Sequence, residues 1–269
     1  MLEILQYGFI QRAILAGILI GIVSPLIGTF LVLRRLSFIG DTLSHTTLAG
    51  VAAGLMAGFY PIISGTIFAV LAALGIEQLR KVYKNYEELS MPIMMSTGVG
   101  LAVVLISLSE GFKVDVFSYL FGSVIAVSRV DILTISVISI VIIIIVSSLY
   151  NELLFLSFDE EGARIGGIPY RIINLIFTVL VALTIASSMR IVGILLVSSM
   201  MTIPVAASLQ IANSFKQAFL FSIFFAEIAI LGGLSLAYYF DLASGGTIVL
   251  VSVAILLLIL LVKKIRKIS

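Results

Sequence analysis

Cysteine is missing from all 269 residues, and histidine occurs once. With no thiol there are no disulfides and no thiolate metal sites, so zinc or iron–sulfur chemistry built on sulfur is excluded. One histidine cannot supply a His-Glu-x-x-His motif, which leaves an intramembrane zinc protease hard to assemble. A Gly-x-x-x-x-Gly-Lys-Ser/Thr phosphate loop is also absent, so any ATP used must be bound by another polypeptide. Charge is scarce: Asp, Glu, Lys and Arg make up 11% of the chain, against about 25% in soluble domains. The net charge of +2 comes from basic residues scattered at segment ends and gives no footprint for nucleic acid.

Apolar residues, by contrast, fill 61% of the sequence, and the mean hydropathy is +1.26. That is the composition of an integral membrane protein lying almost wholly within the bilayer. Apolar runs fall at 10–33, 39–58, 62–79, 93–109, 131–150, 171–188, 191–210, 217–239 and 246–262. Most reach the ~17–25 residues needed to cross, which predicts an all-α polytopic bundle of eight or nine spans. The first run is too long for a signal peptide, and no basic stretch precedes it. Small residues recur, as in Gly17 with Gly21 and Gly50 with Gly54, and allow close helix packing. Pro25 and Pro204 fall inside runs, where they kink helices and free carbonyls.

The lysines and arginines set the expected orientation. The C-terminal cluster Lys263, Lys264, Arg266 and Lys267 is expected to be cytoplasmic. Alternation then puts twelve basic residues on that side and leaves Arg12, Lys113, Arg129 and Arg190 outside. With nine crossings the N-terminus is also outside. Two connections are longer than hairpins. The outer one, from Glu110 to Asp131, is expected to hold a partial helix near 116–123. The cytoplasmic one, about 151–170, opens a helical segment with Asp159, Glu160 and Glu161 and closes it with Gly166 and Gly167, the pattern of a short capped helix.

Asp41 and His45 carry the chemistry. At helical pitch they share one face, about 6 Å apart along the axis. A carboxylate beside an imidazole is half of a divalent-metal site. If the helix enters the membrane at Arg35, Asp41 lies at roughly 9 Å depth and His45 at roughly 15 Å, near the midplane of a ~30 Å core. Ionisable groups there point to function, and the structural alternative is a hydrogen-bonded core histidine with an aspartate capping the helix after Gly40. Glu227, inside the run 217–239, is a possible secondary ion contact, although pairing within the bundle explains it as well. Glu110, Asp115 and Asp241 are expected to be solvated loop ends. Met91, Met94 and Met95, like Met200 and Met201, are expected to be packing residues.

Taken together, these runs resemble the membrane permease subunits of bacterial ABC importers for zinc and manganese. The resemblance covers essentially the whole chain. It rests on Arg34-Arg35-Leu36-Ser37-Phe38-Ile39-Gly40-Asp41-Thr42-Leu43-Ser44-His45, on Tyr119-Leu120-Phe121-Gly122-Ser123, on 159–168, and on Val192 to Val197 with Ile203, Pro204 and Ala206. It implies a homodimeric permease of the vitamin-B12-importer type (type II), one transmembrane domain over 1–269, served by two cytosolic ATPase subunits. An extracellular or periplasmic metal-binding protein would deliver the ion. Asp41 and His45 fall on the family's Gly-Asp-x-x-x-His positions, taken to line the metal path. Asp159, Glu160, Glu161 and Arg164 fall on the coupling helix that rides on the ATPase. Thr42 and Leu48-Ala49-Gly50 lean towards zinc, with manganese the alternative. No permanently bound cofactor is implied: the metal is cargo and the ATP belongs to the partner. An ion-coupled secondary transporter, which also places acids at mid-membrane, is the competing reading from the residues alone.

Overall fold

The computed structural model describes residues 8–108, 113–123 and 127–268; these are helices joined by short turns, with no strand among them. Seven helices are long and apolar enough to cross a membrane. They are α1 (Gly8–Leu33), α3 (Pro61–Val82), α4 (Ser90–Leu108), α6 (Arg129–Ser148), α9 (Tyr170–Ser188), α11 (Phe215–Phe240) and α12 (Ser244–Ile268). Two further helices depart from that composition. α2 (Phe38–Ala57) has the length but carries Asp41, His45 and four hydroxyl residues between 42 and 47. α10 (Val197–Leu209) has only 13 residues, or ~20 Å of helix.

α1 lies at the centre, packed against α6, α9, α10 and α11. Its Ile20, Ile27 and Phe30 are fully buried. Phe30 meets Phe177 of α9 and Phe215 of α11 with ring centroids 6.4 and 5.6 Å apart. α2 packs between α3 and α4 on one flank, and α11 pairs with α12 on the other. The peripheral helices keep large apolar side chains such as Leu133, Ile144, Leu250 and Leu258 exposed, the surface that lipid solvates.

The ends of the bundle differ in charge. Arg34, Arg80, Lys81, Lys84, Arg164 and Arg171 gather at one end around two neighbouring cavities. Lys263 Nζ donates to Gln210 Oε1 (3.1 Å) where α12 finishes beside the end of α10. At the opposite end Arg12 Nε donates to the Val127 carbonyl (2.9 Å), and Arg190 sits beside the start of α6.

Both long connections contain the expected helices. α5 (Lys113–Phe121) follows α4, while α7 (Tyr150–Phe158) and α8 (Glu160–Ile165) follow α6. The Asp159 carboxylate caps α8 by accepting from the Gly162 N–H (2.8 Å). Glu110 lies outside the described residues, as does the side chain of Asp115.

One expected span is shortened. The apolar run 191–210 reads as continuous, yet its helix starts only at Val197. Before it the chain pairs with the end of α5: Ile194 N donates to Tyr119 O (2.9 Å), and Ser123 N donates to Arg190 O (3.0 Å). Gly122 (φ 75°) and Gly193 (φ 87°) take left-handed conformations and abut the opposing backbone, where a side chain has no room. Non-helical backbone is tolerated at such depth only when it is satisfied inside the protein. Two of the motifs that carried the resemblance, 119–123 and 192–197, satisfy each other here.

Candidate functional site

Leu33 ends α1, and the chain reverses over four residues. Arg34 N donates to Phe30 O (3.0 Å), Leu36 N donates to Leu31 O (2.8 Å), and Arg35 takes φ 57° between them. α2 therefore begins at Phe38 and not at Arg35. This places Asp41 about 4–5 Å and His45 about 10–11 Å along the helix from its start. The pair sits nearer one end of the bundle than a helix begun at Arg35 requires, because the turn uses up three residues.

Most of α2 is buried: Thr42, Ser44, Thr46 and Thr47 all face neighbouring helices. The hydroxyls of Thr42, Thr46 and Thr47 donate to carbonyls one turn back in α2. Asp41 and His45 are the exceptions. Each is half-buried on the side of α2 that carries exposed Phe38, one helical turn apart, while Ala49 in the next turn is buried again. Among the described residues neither the carboxylate nor the imidazole makes a hydrogen bond or an ion pair. No group of three or more His, Asp or Glu able to hold a metal exists among the described residues. A single chain thus brings only one carboxylate and one imidazole together here.

Asp41 opens on a groove of about 490 Å³ between the α1–α2 turn and α10, lined by Ser37, Ser198, Ser199 and Thr202. The Gly40 backbone makes the approach possible, since a Cβ there would stand 3.3 Å from Ser198 Cβ. The α10 hydroxyls escaped the sequence reading. A run such as Val197-Ser198-Ser199 looks like ordinary span composition until α10 is seen to start level with Gly40.

Glu227 is elsewhere. It lies on the seam between α11 and α1, where a Cβ on Gly21 would stand 2.5 Å from its Oε1. That oxygen is buried without a hydrogen-bond partner among the described residues. Gly21 is eleven residues from Val32, which lines the Asp41 groove, so the two acids are separated by about 16 Å of α1. The acids of the 159–168 segment stand at the basic end. Glu160 and Arg164 line one cavity of about 440 Å³ there with Glu77, Arg80 and Arg171. Arg164 lies over the Tyr170 ring (4.9 Å to the centroid). Asp159 is occupied with capping α8, and Glu161 is exposed in its first turn.

Arg190 and Asp131, read from the sequence only as segment ends, form a second polar centre at the opposite end. Asp131 is fully buried. Its Oδ2 accepts from Ser128 N (2.8 Å) and lies 3.4 Å from Arg190 Nε, while the Tyr60 hydroxyl donates to Oδ1. The guanidinium stacks 4.4 Å from the Tyr119 ring centroid. Burial, followed by the bond to Asp131, pushes the Tyr60 phenol above its usual range and keeps it a donor. Arg190 Nε meets the carboxylate as an ion pair only, since it is buried without a hydrogen-bond partner among the described residues.

Comparison with known proteins gives a consistent picture. Residues 6–263 match the ABC 3 transport family. A protein of Treponema pallidum named "Probable metal transport system membrane protein" is 40% identical over 95% of this chain and 96% of its own. The manganese transport system membrane protein MntC of Listeria innocua is 34% identical over 94% and 90%. The high-affinity zinc uptake system membrane protein ZnuB of Haemophilus influenzae is 30% identical over 89% and 92%. Among solved structures, PsaBC from Streptococcus pneumoniae in complex with Fab superposes with a TM-score of 0.85 at 30% identity, over 96% of this chain and 93% of that one.

Proposed function

Because the chain belongs to the ABC 3 transport family and is the membrane permease subunit of a metal ABC importer, we propose that it passes zinc between two copies of itself at paired Asp41 and His45 half-sites. The observation that carries this reading is the outward, partnerless face holding both residues. An uncompensated aspartate facing hydrocarbon costs ~2.5–3.5 kcal/mol at mid-span and less towards the end of a span, where Asp41 stands. A second copy apposed about a two-fold axis covers that face and brings two carboxylates and two imidazoles together. Four nitrogen and oxygen ligands at about 2.0–2.2 Å are what zinc prefers. The lack of thiolates suits a transport site, which must release its ion.

Hydrolysis of ATP belongs to a separate subunit. α8, with Glu160, Glu161 and Arg164 behind the Asp159 cap, docks on that ATPase and passes its motion to the bundle. The whole chain acts as one transmembrane domain of nine crossings, with α2 and α10 completing the seven apolar spans. The end rich in arginine and lysine is cytoplasmic by the positive-inside rule, so the C-terminus is inside and the N-terminus outside. The membrane is a bacterial cytoplasmic membrane, and a metal-binding protein delivers the ion to the outer face.

Manganese is the second reading, favoured by the groove beside Asp41, whose hydroxyl lining is hard oxygen of the kind manganese takes. In proteoliposomes holding the complete complex, zinc and manganese in direct competition decide between them. Asp41→Ala and His45→Ala are expected to abolish ATP-driven uptake while the complex still assembles. Normal uptake by the assembled double variant removes this pair from the path, and uptake without the ATPase points to ion-coupled carriage instead.

A further inference from the structure

Arg34 has no place in the reading above beyond its charge, yet it is the most elaborately held residue of the α1–α2 turn. Its Nη2 donates to Asn174 Oδ1 of α9 at 2.6 Å, and its guanidinium carbon lies 5.3 Å from the centroid of Phe177, also on α9. Phe177 is itself wedged edge-on against Phe30, four residues before Arg34 on α1. The other terminal nitrogen, Nη1, is buried and has no hydrogen-bond partner among the described residues. A buried donor left without an acceptor is costly, so a partner is to be sought nearby.

The cavity beside Arg34 supplies one. It measures about 290 Å³ and is lined by Arg34, Arg80, Glu87, Ser157, Glu160 and Asn174, among others. Glu160 is the first residue of α8. Burial lowers the Arg34 pKa, and the Glu160 charge works in the opposite direction, so the two side chains feel each other across this space without touching. The far wall is braced independently. Arg80 Nη1 pairs with Glu77 Oε1 at 2.9 Å, and Thr178 of α9 donates to the same oxygen at 3.1 Å, which fixes α3 to α9. The frame around the cavity is therefore tied together on the α3–α9 side, and the six-residue α8 forms the wall that carries Glu160.

Arg34 also stands seven residues before Asp41, across a turn tied to the end of α1 by the N–H groups of Arg34, Arg35 and Leu36 and to the start of α2 by those of Ile39 and Gly40. A displacement of the turn is transmitted to α2 and its metal-binding face as a rigid body. We infer that Arg34 is the positioning residue linking α8 to α2: it anchors the α1–α2 turn on Asn174 and Phe177 and offers Nη1 to Glu160, which closes the cavity when α8 is pressed towards the bundle. The inference rests on the transport reading above. Arginine is needed because one planar fork must serve two acceptors and a ring face at once, which lysine cannot do.

The test uses the complete complex with its ATPase. Arg34→Ala lowers the zinc transported per ATP hydrolysed by about tenfold or more, a coupling loss within the usual range. ATPase rate in the same proteoliposomes stays within about twofold, well inside that span. Zinc bound at equilibrium by the purified complex is unchanged. Arg34→Lys recovers part of the ratio, and the losses from Arg34→Ala and Glu160→Gln are less than additive when combined. Should Arg34→Ala fail to assemble, Asn174→Ala removes the anchoring acceptor and is read in the same way. An unchanged ratio, or a parallel fall of ATPase, uptake and zinc binding, overturns the inference. Wild-type complex that binds no metal or needs no ATP overturns the transport reading; a wild type that couples beside an Arg34→Ala that couples equally well overturns only this one.

Discussion

Asp41 and Asp131 each stand in the first turn of a helix, α2 and α6, and each is an acid in a chain with very few. Their surroundings are opposite. Asp131 is fully buried and closes a capping box with Ser128, accepts from Tyr60 and faces Arg190. Asp41 is half-buried on the same side of α2 as His45 and touches no polar partner among the described residues. A membrane interior penalises both acids, so the difference shows where the compensation comes from. At Asp131 the chain supplies it, and the result is a clamp joining α3, α6 and the segment before α10. At Asp41 no such partner is found among the described residues, and on the proposed function it comes from a second copy and a passing ion.

Mutations can break this comparison from either side. The largest effect is expected on metal binding: wild-type complex takes up one zinc per two chains, and Asp41→Ala or His45→Ala weakens it by about 100-fold or more, since two of the four ligands zinc prefers are lost at once. Equilibrium dialysis measures this, and melting of the same samples in detergent should stay at the wild-type temperature. Asp131→Ala should do the reverse. It leaves Arg190 buried without its counter-charge and destabilises by about 3–5 kcal/mol, read as a fall in melting temperature, with zinc affinity preserved in the folded fraction.

Smaller effects sharpen the boundary between the two kinds of site. Gly21→Ala pushes a methyl group onto Glu227 Oε1, the far end of a flexible side chain that can swing aside, and should cost no more than about 1 kcal/mol, the low end of overpacking. Glu227→Ala in the same chain should relieve much of that, whereas Glu227→Gln should not. A double-mutant cycle showing no coupling would mean that this acid does not rest on α1. Tyr60→Phe removes one hydroxyl donor from a clamp that keeps its other bonds, so the loss should be about 0.5–1.5 kcal/mol. Zinc binding that changed with Tyr60→Phe would erase the distinction drawn here.

Much of the architecture is readable before any coordinates. Hydrophobic runs set the helices because the bilayer demands an unbroken apolar stretch with every backbone group satisfied, and the helices of α1, α6 and α11 lie where their runs lie. Asp41 and His45 also stand out at once, since four residues is one helical turn. The seam between α5 and the start of α10 was not legible. Residues 191–196 are as apolar as any span, and only the opposing backbone of 119–123 tells them from helix. Nor was the clamp: Arg190 and Asp131 are 59 positions apart, and nothing local pairs them.

Local chemistry thus determined where most of the apolar segments lie, which of them carry ionisable groups, and that two such groups share a helical face. Those properties follow from period and composition, which act over a few residues. Tertiary structure alone decided which polar groups find a partner within the chain, why Arg34 reaches α9, and which face of α2 is left uncovered. Partner choice depends on contacts between residues far apart in sequence, and a burial cost is either met or left open only once the helices have packed.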